Sequence, residues 1–171
     1  MSFQPLNGNV INYYTTLNKT FIVDTGIVSI GTAETPLFLL RNPSSSGVKA
    51  NIFGYSFGTE SGKPSIIRVY AKPTVTSPGT ALTSVCMRQI SSTGAIGAVL
   101  TFKSPSISVN GNLMKTFIIN NSGNIGAGNP VEFNCDFLFE AGADLLITCQ
   151  NQVNGTSSHA WCTWVEVAEE L

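Results

Sequence analysis

Charge is what this chain has least of. Asp, Glu, Lys and Arg make up 11% of its 171 residues, against roughly 25% in a typical soluble domain. The nine basic and ten acidic residues are scattered, giving a net charge of −1. That distribution has no basic patch or stripe, so no nucleic-acid partner is expected. Long apolar runs are missing too. None approaches the eighteen or so residues that cross a bilayer, and Met1-Ser2-Phe3-Gln4-Pro5 opens neither a basic nor an apolar leader region. We expect synthesis in the cytoplasm and no membrane partner.

Reactive residues are equally sparse. The four cysteines, Cys86, Cys135, Cys149 and Cys162, lie far apart without a Cys-x-x-Cys pair, whereas structural zinc sites declare themselves by close paired spacing. They read as small buried hydrophobes. A catalytic triad would have to use His159, the single histidine, and no Gly-x-Ser-x-Gly elbow accompanies it. Glu132, Asp136 and Glu140 recur at every fourth residue of one strand-like run, about 13 Å apart when extended. That is too far for a glycosidase acid–base pair and fits a solvated face. Gly123 to Gly128 lacks the Lys-Ser/Thr ending of a phosphate loop, and no Asp-rich calcium loop is written. The expectation is no catalytic residue, no cofactor, no metal ion and no enzyme activity.

What the chain does have is one repeated phrase, an apolar run and then a Gly/Pro/Ser/Asn stop. Leu37 to Leu40 followed by Arg41-Asn42-Pro43-Ser44-Ser45-Ser46-Gly47 is the densest case, a buried strand ended by a turn. Thr20 to Asp24 and Ile27 to Ile30 flank Thr25-Gly26, the spacing of a short hairpin or a bulged edge strand. Alternation marks strands at Val48 to Gly58, Ser65 to Lys72 and Val131 to Glu140, with a return through Asp144 to Gln150 and a last strand at Ala160 to Val167. Weaker strands are expected at Ala81 to Arg88, Ala95 to Lys103 and Leu113 to Ile119, the last preceded by an Asn-Gly turn. Pro73 and Pro78 lack the amide hydrogen a ladder needs, so Lys72 to Thr80 must cross between strands or lie at an edge. No helical stripe is sustained over eleven residues.

About nine strands with turns and no helices between them predict an all-β, two-sheet antiparallel sandwich, specifically a jelly roll, because tight hairpins alternate with long crossings. We expect one domain over residues 19–171 and an extended arm over residues 1–18. In the arm, Phe3, Tyr13 and Tyr14 are candidate interface residues. Asn121, Asn124 and Asn129, in the long Asn/Gly stretch, and Asn154 are the exposed-loop candidates. Trp161 and Trp164 are candidate stacking residues for a sugar ring.

Phe38-Leu39-Leu40-Arg41-Asn42-Pro43, the Ile67 to Thr80 run and Glu140 to Ile147 resemble β-sandwich virion surface proteins of tailed bacteriophages over roughly residues 35–167. That resemblance implies a capsid decoration or auxiliary protein on the virion surface, made in the host cytoplasm. Its partners would be the major capsid protein or other virion proteins, and it would be a homo-oligomer, with a trimer preferred. The alternative it leaves open is a tail or fibre component that binds a host-surface carbohydrate or receptor.

Overall fold

The computed structural model describes residue 17 and residues 19–59, 64–86, 98–119, 131–152 and 156–168. Among them are fourteen strands, numbered in chain order, and no helix. The first sheet is built on β14 (Thr156–Ala168), which pairs with β4 (Val48–Thr59) on one side and with β1 (Thr20–Asp24) and β2 (Val28–Ile30) in succession on the other. β12 (Val131–Phe139) lies outside β4, and β8 (Val85–Cys86) outside β1. The second sheet runs β11 (Asn112–Ile119), β5 (Ser65–Ala71), β13 (Asp144–Asn151), β3 (Thr35–Arg41), β9 (Leu100–Lys103), β7 (Thr80–Leu82). Every pairing in both sheets is antiparallel.

The sheets face each other across one apolar cluster. Phe21, Ile52, Phe139 and Cys162 enter it from the first sheet, and Phe38, Val69, Phe117 and Ile147 from the second. Alternation along each strand puts one set of side chains there, which makes the domain a sandwich. The pairs are nested: β1 with β14, β3 with β13, β4 with β12 and β5 with β11. Successive pairs alternate between the two sheets.

The central strand expected at Leu37 to Arg41 is β3, flanked by β13 and β9. Asn42, which ends it, is fully buried. Its Nδ2 donates to the carbonyls of Val48 (2.9 Å) and Phe139 (3.0 Å), while its amide donates to Ala143 O (2.9 Å) and its own carbonyl accepts from Gly142 N (2.7 Å). One residue thus joins β4 and β12 through its side chain and the β12–β13 turn through its backbone. Next to it, Arg41 grips Asp144, its register partner, with Nε at 2.9 Å from Oδ1 and the terminal guanidinium nitrogen at 2.6 Å from Oδ2. Buried Glu166 plays a similar part on β14, accepting from the amides of Ala98 (2.8 Å) and Val99 (2.9 Å) and so fixing the entry to β9.

Thr20 to Asp24 and Val28 to Ile30 do not form a hairpin, and of the two only β2 lies at an edge, with β14 as its single partner among the described residues. Both pair with β14, as one strand interrupted at Thr25-Gly26, where Gly26 takes φ +62° and donates to Asp24 Oδ1 at 2.8 Å. The partner that decides this lies some 130 residues further on, so the local turn signal is insufficient.

The proline-bearing stretch crosses, as expected. β6 (Thr74–Ser77) pairs only with β10 (Ser106–Val109), forming a two-stranded ribbon. β6 leads from β5 to β7, and β10 leads back from β9 to β11. Since β5 and β9 are separated by β13 and β3, the ribbon must cross those two strands, and on their outer side because the inner side is core. Its two corners are alike. Lys72 (φ +56°) faces Gly111 (φ +92°), and Ser104 (φ +51°) faces Gly79 (φ +89°). The Lys72 amide donates to Asp144 O (3.1 Å) and the Ser104 amide to Leu37 O (3.0 Å). A diagonal between those points passes over Leu146 and Leu39. Both alternate with core-facing neighbours, so they point outward, yet both are fully buried. The ribbon is a strap that closes over them.

Candidate functional site

Register places several connections at one end of the sandwich. β11 ends at Ile119 opposite Ser65, where β5 begins, and β13 ends at Asn151 opposite the same Ser65. β12 begins at Val131 opposite Phe57, close to the end of β4. The segment between β2 and β3 joins them there, with the Asn151 amide donating to Gly31 O at 3.0 Å. Around that junction Thr32, Ile66, Gln150, Asn151 and Gln152 line a depression of about 410 Å³. Among the described residues the lining holds three amides, one hydroxyl and one apolar side chain, and no charged group.

Two hydrogen-bonded groups shape it. Asn151 Oδ1 accepts from Ser65 Oγ (2.6 Å) and from Cys149 Sγ (3.6 Å), but its buried Nδ2 has no partner among the described residues. Gln150 is clamped at both ends, its Nε2 donating to Thr32 O (2.9 Å) and its Oε1 accepting from Arg68 (3.1 Å). Arg68 also pairs with Glu34 Oε2 at 3.1 Å. Glu34 Oε1 in turn accepts from Thr148 Oγ1 (2.6 Å), Tyr70 Oη (2.8 Å) and Asn110 Nδ2 (3.3 Å). One carboxylate from the β2–β3 segment therefore ties together β5, β13 and the strap, and its charge is met by the guanidinium and three donors.

Burial and the Glu34 hydrogen bond hold the Tyr70 phenol above its ordinary value near 10. The neutral form is the one that folding favours, so its contribution is complete below about pH 10 and is lost as pH rises through the higher folded value. We expect Tyr70→Phe to cost about 1–2 kcal/mol at pH 7 and the gap from the native chain to narrow only above pH 10. Denaturant melts of both proteins between pH 7 and 11 check this; a gap that closes below pH 9 contradicts it.

None of the candidate residues read from sequence is among the described residues that line the depression. Phe3, Tyr13, Tyr14, Asn121, Asn124, Asn129 and Asn154 lie outside the described residues. His159, Trp161 and Trp164 sit in β14, opposite Gly58, Ser56 and Ile52 of β4. Cys86, Cys149 and Cys162 are buried and in no disulfide, as expected of core thiols. Glu140 is exposed, 3.8 Å from Lys49, in keeping with a solvated face. Among the described residues no three His, Cys, Asp or Glu side chains gather as a metal set. The Glu34 network went unmarked at the level of sequence. Its one signal is polar residues two apart inside apolar strands, Arg68 and Tyr70 on β5 and Thr148 and Gln150 on β13.

These features define the class as an all-β antiparallel sandwich with a polar, strapped outer face. No protein-family profile and no curated protein matches the chain.

Proposed function

We propose that this chain is a jelly-roll structural protein of the tailed-bacteriophage virion surface, a decoration or auxiliary protein that binds the capsid exterior and stabilises the shell. The observation that carries the reading is the nested wrap of four strand pairs alternating between two sheets, which supports a double Greek key of the kind found in viral capsid domains. Low charge supports it, because contacts made through hydroxyl and amide side chains need no ion desolvation. The arm with Phe3, Tyr13 and Tyr14 is the docking element in this reading, and the role is not enzymatic. Immunogold imaging of virions tests it: label on the shell is the expected result, and label confined to the tail overturns it. Deleting residues 1–18 is expected to abolish binding to shells while the far-UV circular dichroism of the sandwich is kept. Retained binding by the truncated protein would remove the arm from the mechanism.

The depression favours a second reading, a tail or fibre component that binds a host-surface carbohydrate. Jelly rolls also carry lectin sites, and the amide-rich described lining beside Ile66 suits a neutral sugar ring. A glycan array without signal above background counts against this version.

A further inference from the structure

We propose that two copies of this chain pair edge to edge through β11, joining their second sheets into one continuous sheet. A strand at the end of a sheet presents a row of unpaired amide and carbonyl groups and is normally kept short or guarded by charge. The four end strands differ in this respect. β7 has three residues and β8 two, and β12 carries Glu132 and Asp136. β11 is eight residues long and pairs only with β5 among the described residues. Its lone charge is Lys115, whose Nζ lies 5.0 Å from the centre of the Phe117 ring. Leu113, Met114 and Ile118 are 55%, 44% and 63% exposed. β11 is thus the long end strand of the described fold with the fewest charges, Lys115 and the register shift at Met114 being the guards it has.

The occupant that fits is a second β11. Antiparallel pairing about a twofold axis normal to the sheet keeps outer faces continuous, so each residue meets one of its own parity. Lys115 can then oppose Lys115, Phe117 or Ile119 of the other copy. The first brings two cations together and is rejected. The remaining registers, centred on Thr116 or on Phe117, place the ammonium against a ring or an aliphatic chain and match Ile118 with Met114 or Thr116. Met114 is the extra residue at a register shift against β5, so the flat run Lys115 to Ile119 is what pairs. Such a contact closes at two copies, unlike a head-to-tail contact, which forms rings or filaments.

Analytical ultracentrifugation of the full chain is expected to give a reversible species of about twice 18.2 kDa. Ile118→Lys alone, and Met114→Lys with Ile118→Lys, should weaken the dimer at least tenfold and leave the circular dichroism unchanged. Cysteine at Thr116 should give a covalent dimer on oxidation in the first register. A mixture of Thr116→Cys and Ile118→Cys chains should do so in the second. The native chain, whose described thiols are buried, is the control. A native chain that stays monomeric overturns the proposal, as does growth into a ladder of larger species. Should both lysine variants misfold, the oxidation arm decides alone: a dimer that neither cysteine arrangement links is not held by β11.

Discussion

Asn42→Asp is expected to leave little folded protein at neutral pH, and Asn42→Ala to cost about 3 kcal/mol, or roughly 6–12 °C in melting temperature. The side chain is fully buried, and its Nδ2 is the donor for two backbone carbonyls, Val48 O and Phe139 O. Alanine removes that donor, so both acceptors stay desolvated and a small cavity is added. Aspartate does worse. It places an anion 2.9 and 3.0 Å from two carbonyl oxygens, with water excluded and no cation described in contact with it. Burial would raise the pKa of that carboxyl, so the stability of Asn42→Asp should be recovered below about pH 4 and lost as pH rises. Melts at pH 7 and at acid pH check the sign, and a variant that is as stable as Asn42→Ala at pH 7 would mean the site admits water.

Asn42 also illustrates what sequence can and cannot tell. That Leu37 to Arg41 is buried and ends at Asn42-Pro43 was legible, because four apolar residues followed by turn formers have few other uses. That Asn42 reaches across to the end of β12 was not, since Phe139 is 97 positions away. The same division runs through the fold. β4, β5, β12 and β13 were visible by alternation, each within a residue or two of its observed ends. Whether the interruption between β1 and β2 was a hairpin or a bulge in an edge was not legible, because the strand that pairs with both comes at the end of the chain. β10, four residues after Pro105 of which three are exposed, has too little periodicity to register at all.

The candidate site was less legible still. Glu34, Arg68, Tyr70, Asn110 and Thr148 come from four segments, and each is unremarkable in its own neighbourhood. Only the order β5–β13–β3, with the strap laid over it, brings them together. The sequence did expose the constraint that makes the strap possible. Pro73 and Pro78 forbid a central strand, and a chain that cannot join the sheet but must pass from β5 to β7 has to go over it.

The strap leads to the second large effect. Gly79→Ala and Gly111→Ala are each expected to cost more than 3 kcal/mol, whereas Gly26→Ala and Gly47→Ala should cost about 1 kcal/mol apiece. All four have positive φ, so alanine meets a similar backbone penalty at each. The surroundings separate them. At Gly26 and Gly47 a new Cβ finds nothing within 4 Å. At Gly79 it would come within 2.8 Å of the backbone oxygens of Lys103 and Ser104, and at Gly111 within 2.7 Å of those of Ala71 and Lys72. Neither oxygen pair can retreat easily, because Ser104 and Lys72 are bonded through their amides to Leu37 O and Asp144 O in the sheet. The strap has to lift instead, exposing Leu39 and Leu146, whose burial is worth about 4 kcal/mol together. Hydrogen exchange distinguishes lifting from general unfolding. In Gly79→Ala or Gly111→Ala the amides of β6 and β10 should lose protection before those of β3 and β13. Uniform loss across both sheets would show that the strap and the sandwich open as one unit. Leu39→Ala and Leu146→Ala should then weaken the strap from the other side, with the same order of exchange.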